Sequence, residues 1–440
     1  MSDKSGTRKT GRQFFSNPGP TNIPDSILRA MDRPTVDFMD GEFVAVYNTA
    51  VAGLKRLLGT KGELFFYTAS GHGSWEATLA NLLSPGDTVL TVESGWFSEG
   101  WSTMAAKFGI EVQTVAADWR RGVDPAVIEA ALRADTAGRI KAVLAVHSET
   151  STGMATPIGA VREAIDAAGH DAMLLVDSIS SLGSLEFRMT EWRVDAVVGG
   201  SQKGLMLPTG ISFTATSEKA MAAHAKARIA RHYFDWSEMM GRGFRSFTGT
   251  VPTSYFYGLV ESIRLIEEEG LGNVVARHHR LAEATRTAVR TWAANDGPRL
   301  YCLDPARYSD SVTAVMMPDG HNGDALRKTL MDRFNVSIGG GLGKLGGKVI
   351  RIGHLGDLNE PMILGTLAAV EMSLAKNGVP HGKGGVTAAM EFLAARTRQA
   401  LRTIRSASSA VSPPRNRGSS RHVARSRWQA STAATLPPAT

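Results

Sequence analysis

The chain holds one cysteine, Cys302, in 440 residues. A single thiol excludes an internal disulfide framework and any multi-cysteine metal site, and it suits a reducing cytoplasm. No uninterrupted apolar run reaches the ~18 residues that a membrane span needs, and Met1 to Arg12 is polar and basic. Neither membrane insertion nor export is therefore expected. The eleven histidines include no His-Glu-x-x-His arrangement, which leaves a catalytic metal without support. Neither Gly343-Lys344 nor Gly347-Lys348 follows a glycine at the spacing of a phosphate-binding P-loop, and no internal repeat is visible. Acidic residues are absent from Ala394 to Thr440, where nine arginines lie, Arg396 through Arg427. Without them the formal charge of +7 disappears, and the rest of the chain is close to neutral. That tail of Ser, Arg, Ala and Pro has too little apolar surface to fold and is expected to be disordered. Binding of nucleic acid through the tail is a competing reading, and the near-neutral body argues against it.

What remains is an ordinary globular balance, 43% hydrophobic and 21% charged, in a chain long enough for two domains. Apolar β-like runs at 63–70, 87–93, 111–116, 142–147, 172–176, 196–199 and 211–215 alternate with amphipathic stretches such as 73–83, 124–134 and 158–168. This alternation predicts an α/β fold with a mostly parallel sheet covered by helices on both faces. A long helical region from Thr253 to about Asn295 is broken at Gly270-Leu271-Gly272. Beyond it, strand runs at 311–317, 334–338 and 348–352, with helices at 324–333 and 361–377, predict a smaller α+β domain. The expected division is an N-terminal arm over 1–16, a large domain over 17–270, a small domain over 271–393 and the basic tail over 394–440.

Two residues carry the strongest chemical signal. Asp177 ends the run Ala172-Met173-Leu174-Leu175-Val176, and Lys203 follows Ala196-Val197-Val198-Gly199-Gly200-Ser201-Gln202. Ligands in open α/β sheets gather where strands run out into loops. A buried lysine can form a Schiff base with an aldehyde, and a buried carboxylate can hold a pyridine nitrogen protonated, which together describe a pyridoxal phosphate site. The segment Ser70-Gly71-His72-Gly73 passes from a β-like stretch into a helical one, and its small residues suit a phosphate cradle. Gly341-Leu342-Gly343-Lys344-Leu345-Gly346 fits a dinucleotide-binding pattern but leads into a strand and not a helix, so that reading fails. Its glycines could instead let the small domain close over a substrate.

Six motifs in order resemble those of class V, fold-type I aminotransferases, with particular likeness to the serine–glyoxylate and alanine–glyoxylate enzymes. They are Asn17-Pro18-Gly19-Pro20-Thr21-Asn22, Ser70-Gly71-His72, His147-Ser148-Glu149-Thr150-Ser151-Thr152-Gly153, Asp177-Ser178-Ile179-Ser180-Ser181-Leu182-Gly183, Gly200-Ser201-Gln202-Lys203-Gly204 and Val349-Ile350-Arg351-Ile352-Gly353. The resemblance implies pyridoxal 5'-phosphate as cofactor, a homodimer or higher homo-oligomer, and transfer of an amino group from serine or alanine to glyoxylate by a ping-pong mechanism. Aspartate or another small donor is an alternative. Residue by residue, it implies Lys203 as the covalent anchor and proton carrier and Asp177 as partner of the pyridine nitrogen. Phe97, where related enzymes often have tryptophan, should stack on one ring face and Ile179 should pack on the other. Ser70, Gly71, His72 and the Gln202 side chain should hold the phosphate, joined by Thr250 from the neighbouring subunit. Thr150 should serve cofactor and substrate through its hydroxyl, and Arg351 should pair with the substrate carboxylate. The chain departs from the family at Phe247, where tyrosine is usual; a phenyl ring donates no hydrogen bond, so either water or Arg245 replaces it or cofactor affinity is lower. A class V lyase such as a cysteine desulfurase would need a thiolate on a mobile loop, whereas Cys302 sits in the apolar stretch Leu300-Tyr301-Cys302-Leu303.

Overall fold

The structure, a computed structural model, describes residues 11–115, 117–240 and 247–395. A short strand, β1 (Phe14–Ser16), comes first, followed by β2 (Leu64–Tyr67), β3 (Thr88–Val92), β4 (Glu111–Val115) and β5 (Ile140–Val146). A two-stranded ribbon, β6 (Ser148–Glu149) and β7 (Met154–Ala155), precedes β8 (Met173–Asp177), β9 (Ala196–Gly200) and β10 (Ser212–Thr216). The large sheet has the order β2-β10-β9-β8-β5-β3-β4. Its pairs β3–β4, β3–β5, β5–β8 and β8–β9 are parallel, while β10 runs antiparallel to both β9 and β2. Each of the seven expected β runs contains or overlaps one of these strands. Because β10 is the one reversed strand, the carboxyl ends of β2, β3, β5, β8 and β9 share one edge.

Strand β8 shows why the pattern holds. All five of its residues are buried, yet they divide by alternation: Leu174 and Val176 face one core, Met173 and Leu175 the other. Helices supply both outer layers. Gly41–Leu58 is capped by the Asp40 carboxylate, which accepts from the Glu42 N–H at 3.1 Å, and it stops at Gly59 in the left-handed conformation. Gly71–Leu82 packs on the second face through Trp75, Leu79 and Leu82.

The smaller sheet joins β1 to β11 (Arg299–Leu300), β12 (Val312–Met316), β13 (Val336–Gly340) and β14 (Val349–Gly353), in the order β1-β13-β14-β12-β11. Its apolar residues Val315, Ile338, Ile350 and Ile352 pack with side chains of helices Leu271–Trp292, Gly323–Phe334 and Glu360–Lys376. Strand β1 is a partner that the apolar pattern does not announce. It pairs in parallel with β13, Phe14 opposite Val336 and Ser16 opposite Ile338, so residues 14–16 belong to a sheet otherwise built from 299–353. The expected helical break falls at Gly270 (φ +84°), which ends Thr253–Glu269 and opens Leu271–Trp292. Among the described residues, no helix is long and apolar enough to cross a membrane. Of the expected disordered tail over 394–440, Ala394 and Ala395 are helical and residues 396–440 lie outside the described residues.

Candidate active site

Asp177 is the last residue of β8, and Lys203 stands in the turn after its parallel neighbour β9. That turn is closed by hydrogen bonds from Met206 N–H to the Lys203 carbonyl at 2.9 Å and from Leu207 N–H to the Ser201 carbonyl at 3.0 Å. The two side chains line one cavity with Ser70, Gly71, His72, Phe97, Ile179 and Gln202, and with Trp75, Ser148 and Ser180. Lys203 Nζ donates to the Pro18 carbonyl at 2.7 Å, and Thr21 Oγ1 donates to the Lys203 carbonyl at 3.0 Å. The Asn17–Asn22 segment thus closes over the lysine. Gly19 (φ +109°) is required there, because a Cβ would collide with Lys203 Cδ and Nζ.

The electrostatics suit proton traffic. Burial, reinforced by the charge of Arg351, pushes the Lys203 amine down to about 8 while Asp177 opposes the shift. Burial pushes the Asp177 carboxyl up to about 7. Donation from Ile179 N–H to Oδ1 (2.7 Å) and from Trp75 Nε1 to Oδ2 (3.0 Å) pulls it back, as does Lys203, while Glu149 adds to the rise. Burial, then Lys203, lowers the His72 pKa, which favours neutral imidazole.

Ser70, Gly71 and His72 begin helix Gly71–Leu82, two residues earlier than the sequence pattern suggests. Ser70 makes no side-chain cap; Gly73 N–H donates to the Ser70 carbonyl at 2.9 Å, and the N–H groups of Gly71 and His72 are left for another acceptor. Gln202 Oε1 is buried without a hydrogen-bond partner in the same cavity. A Cβ on Gly71 would collide with Ile179 Cδ1, so a larger residue there would displace the Ile179 side chain from the cavity wall. An uncapped helix start, an orphaned amide, a buried carboxylate and an enclosed amine form a donor set that fits pyridoxal phosphate.

Phe97, partly buried, lies 6.5 Å from the His72 ring and 6.3 Å from Trp75 between ring centroids. Its position depends on Glu149, which the sequence motif contained without revealing its task. The buried Glu149 carboxylate accepts from Phe97 N–H (3.1 Å), Ser98 N–H (3.2 Å), Ser151 N–H (3.0 Å) and Ser151 Oγ (2.6 Å). Gly95 permits this approach, since a Cβ there would stand 2.5 Å from Glu149 Cγ.

Arg351 is the middle residue of β14 and is only 8% exposed. Its Nε donates to the Gly340 carbonyl at 2.6 Å, and its Nη1 donates to the Thr150 carbonyl at 3.2 Å. Thr150 therefore meets Arg351 through its backbone. Burial lowers the guanidinium to about 10, and the Glu149 charge counters this. Ser148 Oγ bonds Ser309 Oγ and Ser311 Oγ, both at 2.8 Å, tying the cavity wall to the segment before β12.

Arg351 and Thr150 do not line the Lys203 cavity, and other expected residues also fall elsewhere. Thr250 is exposed and is absent from the lining of this cavity. Phe247 is in the core, stacked on Phe66 at 6.4 Å and edge-on to Phe256 at 5.9 Å, where a phenyl ring needs no hydrogen-bond partner. Arg245 lies outside the described residues. Cys302 is buried, its Sγ 3.5 Å from the Asp304 carbonyl, and burial pushes the thiol up to about 11, the opposite of an activated nucleophile. The glycine-rich 341–346 segment forms a short 3-10 turn, Gly343–Leu345, between β13 and β14. Among the described residues, no cluster of three or more His, Cys, Asp or Glu could hold a metal. A cleft of about 880 Å³ near the amino ends of β2, β8 and β9 is larger than the Lys203 cavity. Its buried Arg162 is already paired with Asp166 at 2.6 Å, and Asp195 with Ser217 Oγ at 3.0 Å.

The fold is that of solved aminotransferases. The ureidoglycine–glyoxylate aminotransferase of Bacillus subtilis superposes with a TM-score of 0.79 at 29% identity, over 88% of this chain and 99% of that one. The particular family follows from the sequence comparison. The model of the family Aminotransferase class-V matches residues 14–344. Serine–glyoxylate aminotransferase of Methylorubrum extorquens is 45% identical over 88% of this chain and 97% of the relative. L-aspartate–glyoxylate aminotransferase of Paracoccus denitrificans is 43% identical over 85% and 94% respectively. The chain belongs to the class-V aminotransferases.

Proposed function

We propose that this aminotransferase uses pyridoxal 5'-phosphate to move the amino group of a small amino acid, serine first and alanine second, to glyoxylate, as a cytoplasmic homodimer. The observation that carries the reading is the convergence of Lys203 and Asp177 at the carboxyl ends of adjacent parallel strands, beside an uncapped helix start. Relatives whose names specify glyoxylate as acceptor support that half of the reaction, and the serine-named relative supports the donor. The chain divides in this reading into the large cofactor-binding domain over 17–270 and the small domain over 271–393.

When bound, the cofactor supplies an aldehyde that condenses with amines and a cationic ring that takes up the electron pair released at the substrate α-carbon. Lys203 would anchor it and, once displaced by substrate, would take the α-proton on Nζ; an amine depressed to about 8 can both gain and lose that proton near neutrality. Asp177 would hold the proton on the ring nitrogen. Phe97 and Ile179 would cover the two ring faces. The first-turn N–H groups at Ser70, Gly71 and His72, with Gln202, would hold the phosphate, together with Thr250 of a second copy. Arg351, whose Nε and Nη1 are braced by two carbonyls, keeps Nη2 for the substrate carboxylate, with Thr150 beside it.

The test supplies cofactor to the purified protein and measures glycine formed from glyoxylate with serine, alanine or aspartate as donor. Serine should give the highest kcat/KM, and Lys203→Ala should abolish the reaction. Failure to form glycine with any of the three donors would overturn the reading; aspartate as the best donor would replace serine and leave glyoxylate standing.

A further inference from the structure

The carboxylate that ends β8 does not stand alone. Helix Gly71–Leu82 starts at the cradle and, four residues on from Gly71, presents Trp75 on the same face of the helix. Trp75 is 1% exposed, and its indole Nε1 donates to Asp177 Oδ2 at 3.0 Å. The ring has little freedom to move away. It lies 4.5 Å from the His72 ring on one flank and 5.8 Å from Trp101, nearly parallel at 15°, on another. The second oxygen, Oδ1, is held by Ile179 N–H at 2.7 Å.

We propose that Trp75 is a positioning residue: its indole N–H fixes the plane of the Asp177 carboxylate and favours its anionic form, thereby setting the distance between the helix start and the carboxylate. The proposal rests on the reading that Asp177 faces the cofactor's ring nitrogen. A carboxylate has about four lone-pair sites, so one neutral donor on each oxygen leaves a site on each for a cationic N–H from the cavity. Without the indole, Oδ2 would be free to turn, and the buried charge would lose one of its two neutral donors. A tryptophan can do this where phenylalanine cannot, because one side chain supplies both packed area and a donor. The other charged groups acting on Asp177 are Glu149, which opposes ionisation, and Lys203, which favours it.

Trp75→Phe keeps an aromatic ring and deletes the donor. The first readout uses cofactor-free full-length protein: carboxyl titration by carbon NMR of labelled aspartate, with the Asp177 signal assigned from Asp177→Asn. The Asp177 titration should move upward by about one unit or more, as expected for losing a hydrogen bond to a charged group. The second readout is a double-mutant cycle on kcat in the loaded enzyme. Trp75→Phe should lower kcat about tenfold or more with little change in KM, and should cost much less when Asp177 is already asparagine. Trp75→His, which restores an N–H, should recover part of the titration shift. An unmoved Asp177 titration together with additive effects on kcat would overturn the proposal and leave Trp75 as core packing. Normal turnover in Asp177→Asn would instead remove the ring-nitrogen reading, and the titration would still decide whether Trp75 holds Asp177.

Discussion

Asp177 carries a cost as well as a task, and the cost can be measured without cofactor. Its carboxyl ordinarily titrates at 3.8 and is pushed up to about 7 in the folded protein, first by burial. Below pH 3.8 the group is neutral in both states and contributes nothing. Between 3.8 and about 7 the folded state retains a proton that the unfolded chain has lost, so stability falls as pH rises through this window. Above it the penalty is constant. Asp177→Asn removes the charge, so the variant should gain stability relative to wild type between pH 4 and pH 8 by as much as about 4 kcal/mol. Lys203 titrates at about 8 when folded against 10.5 ordinarily, and it acts mainly above this range. Urea denaturation of both cofactor-free proteins at the two pH values provides the check. A pH-independent difference would show that Asp177 ionises as freely folded as unfolded.

Elements of this fold are capped across the sheet as well as by their own sequence. Helix Trp96–Lys107 follows a glycine, Gly95, which has no side chain to offer. Ser98 Oγ accepts from Ser94 N–H at 2.9 Å and Gly95 N–H at 3.0 Å, and Glu149 of β6 takes the N–H groups of Phe97 and Ser98. A negative charge at a helix start also suits the helix dipole. Glu149→Ala would leave these buried donors without an acceptor and should destabilise the protein by at least about 2 kcal/mol. Since Phe97 would be released as well, cofactor affinity should fall, whereas Glu149→Gln should lose less of both. Denaturation midpoints and fluorescence titration with pyridoxal phosphate separate the two effects. Cofactor affinity unchanged in Glu149→Ala would mean that Phe97 is held by its packing alone.

At the scale of the whole molecule, the cavity of one chain lacks a residue that the resemblance assigns to it. Thr250 is exposed and lies off the Lys203 cavity, in line with service to a second copy. Thr250→Ala should weaken cofactor binding about tenfold while leaving the unfolding free energy of cofactor-free protein within about 0.5 kcal/mol of wild type. Light scattering should give about twice the 47.0 kDa chain mass, by the symmetry argument for composite sites. A monomer that binds cofactor with full affinity would refute the shared site.

The sequence by itself determined the strands of the large sheet and the residues at their ends. Apolar runs of the right length are local properties, and a chemistry-bearing residue just past such a run is legible as a loop residue at a sheet edge. This is why Asp177, Lys203 and Ser70 could be named, whereas Gln202 followed from the family resemblance, and why Gly71 was placed at a helix start although the helix begins two residues before the pattern suggests. Tertiary structure alone decided which distant groups meet. Trp75 and Asp177 are 102 residues apart, Glu149 reaches back 52 residues to Phe97, and Phe14–Ser16 pairs with a strand more than 300 residues later. Burial drives each of these polar groups to find a partner, but the partner's identity depends on strand order and on the reversed strand β10. An apolar pattern records only that a segment is buried, not which segment lies beside it.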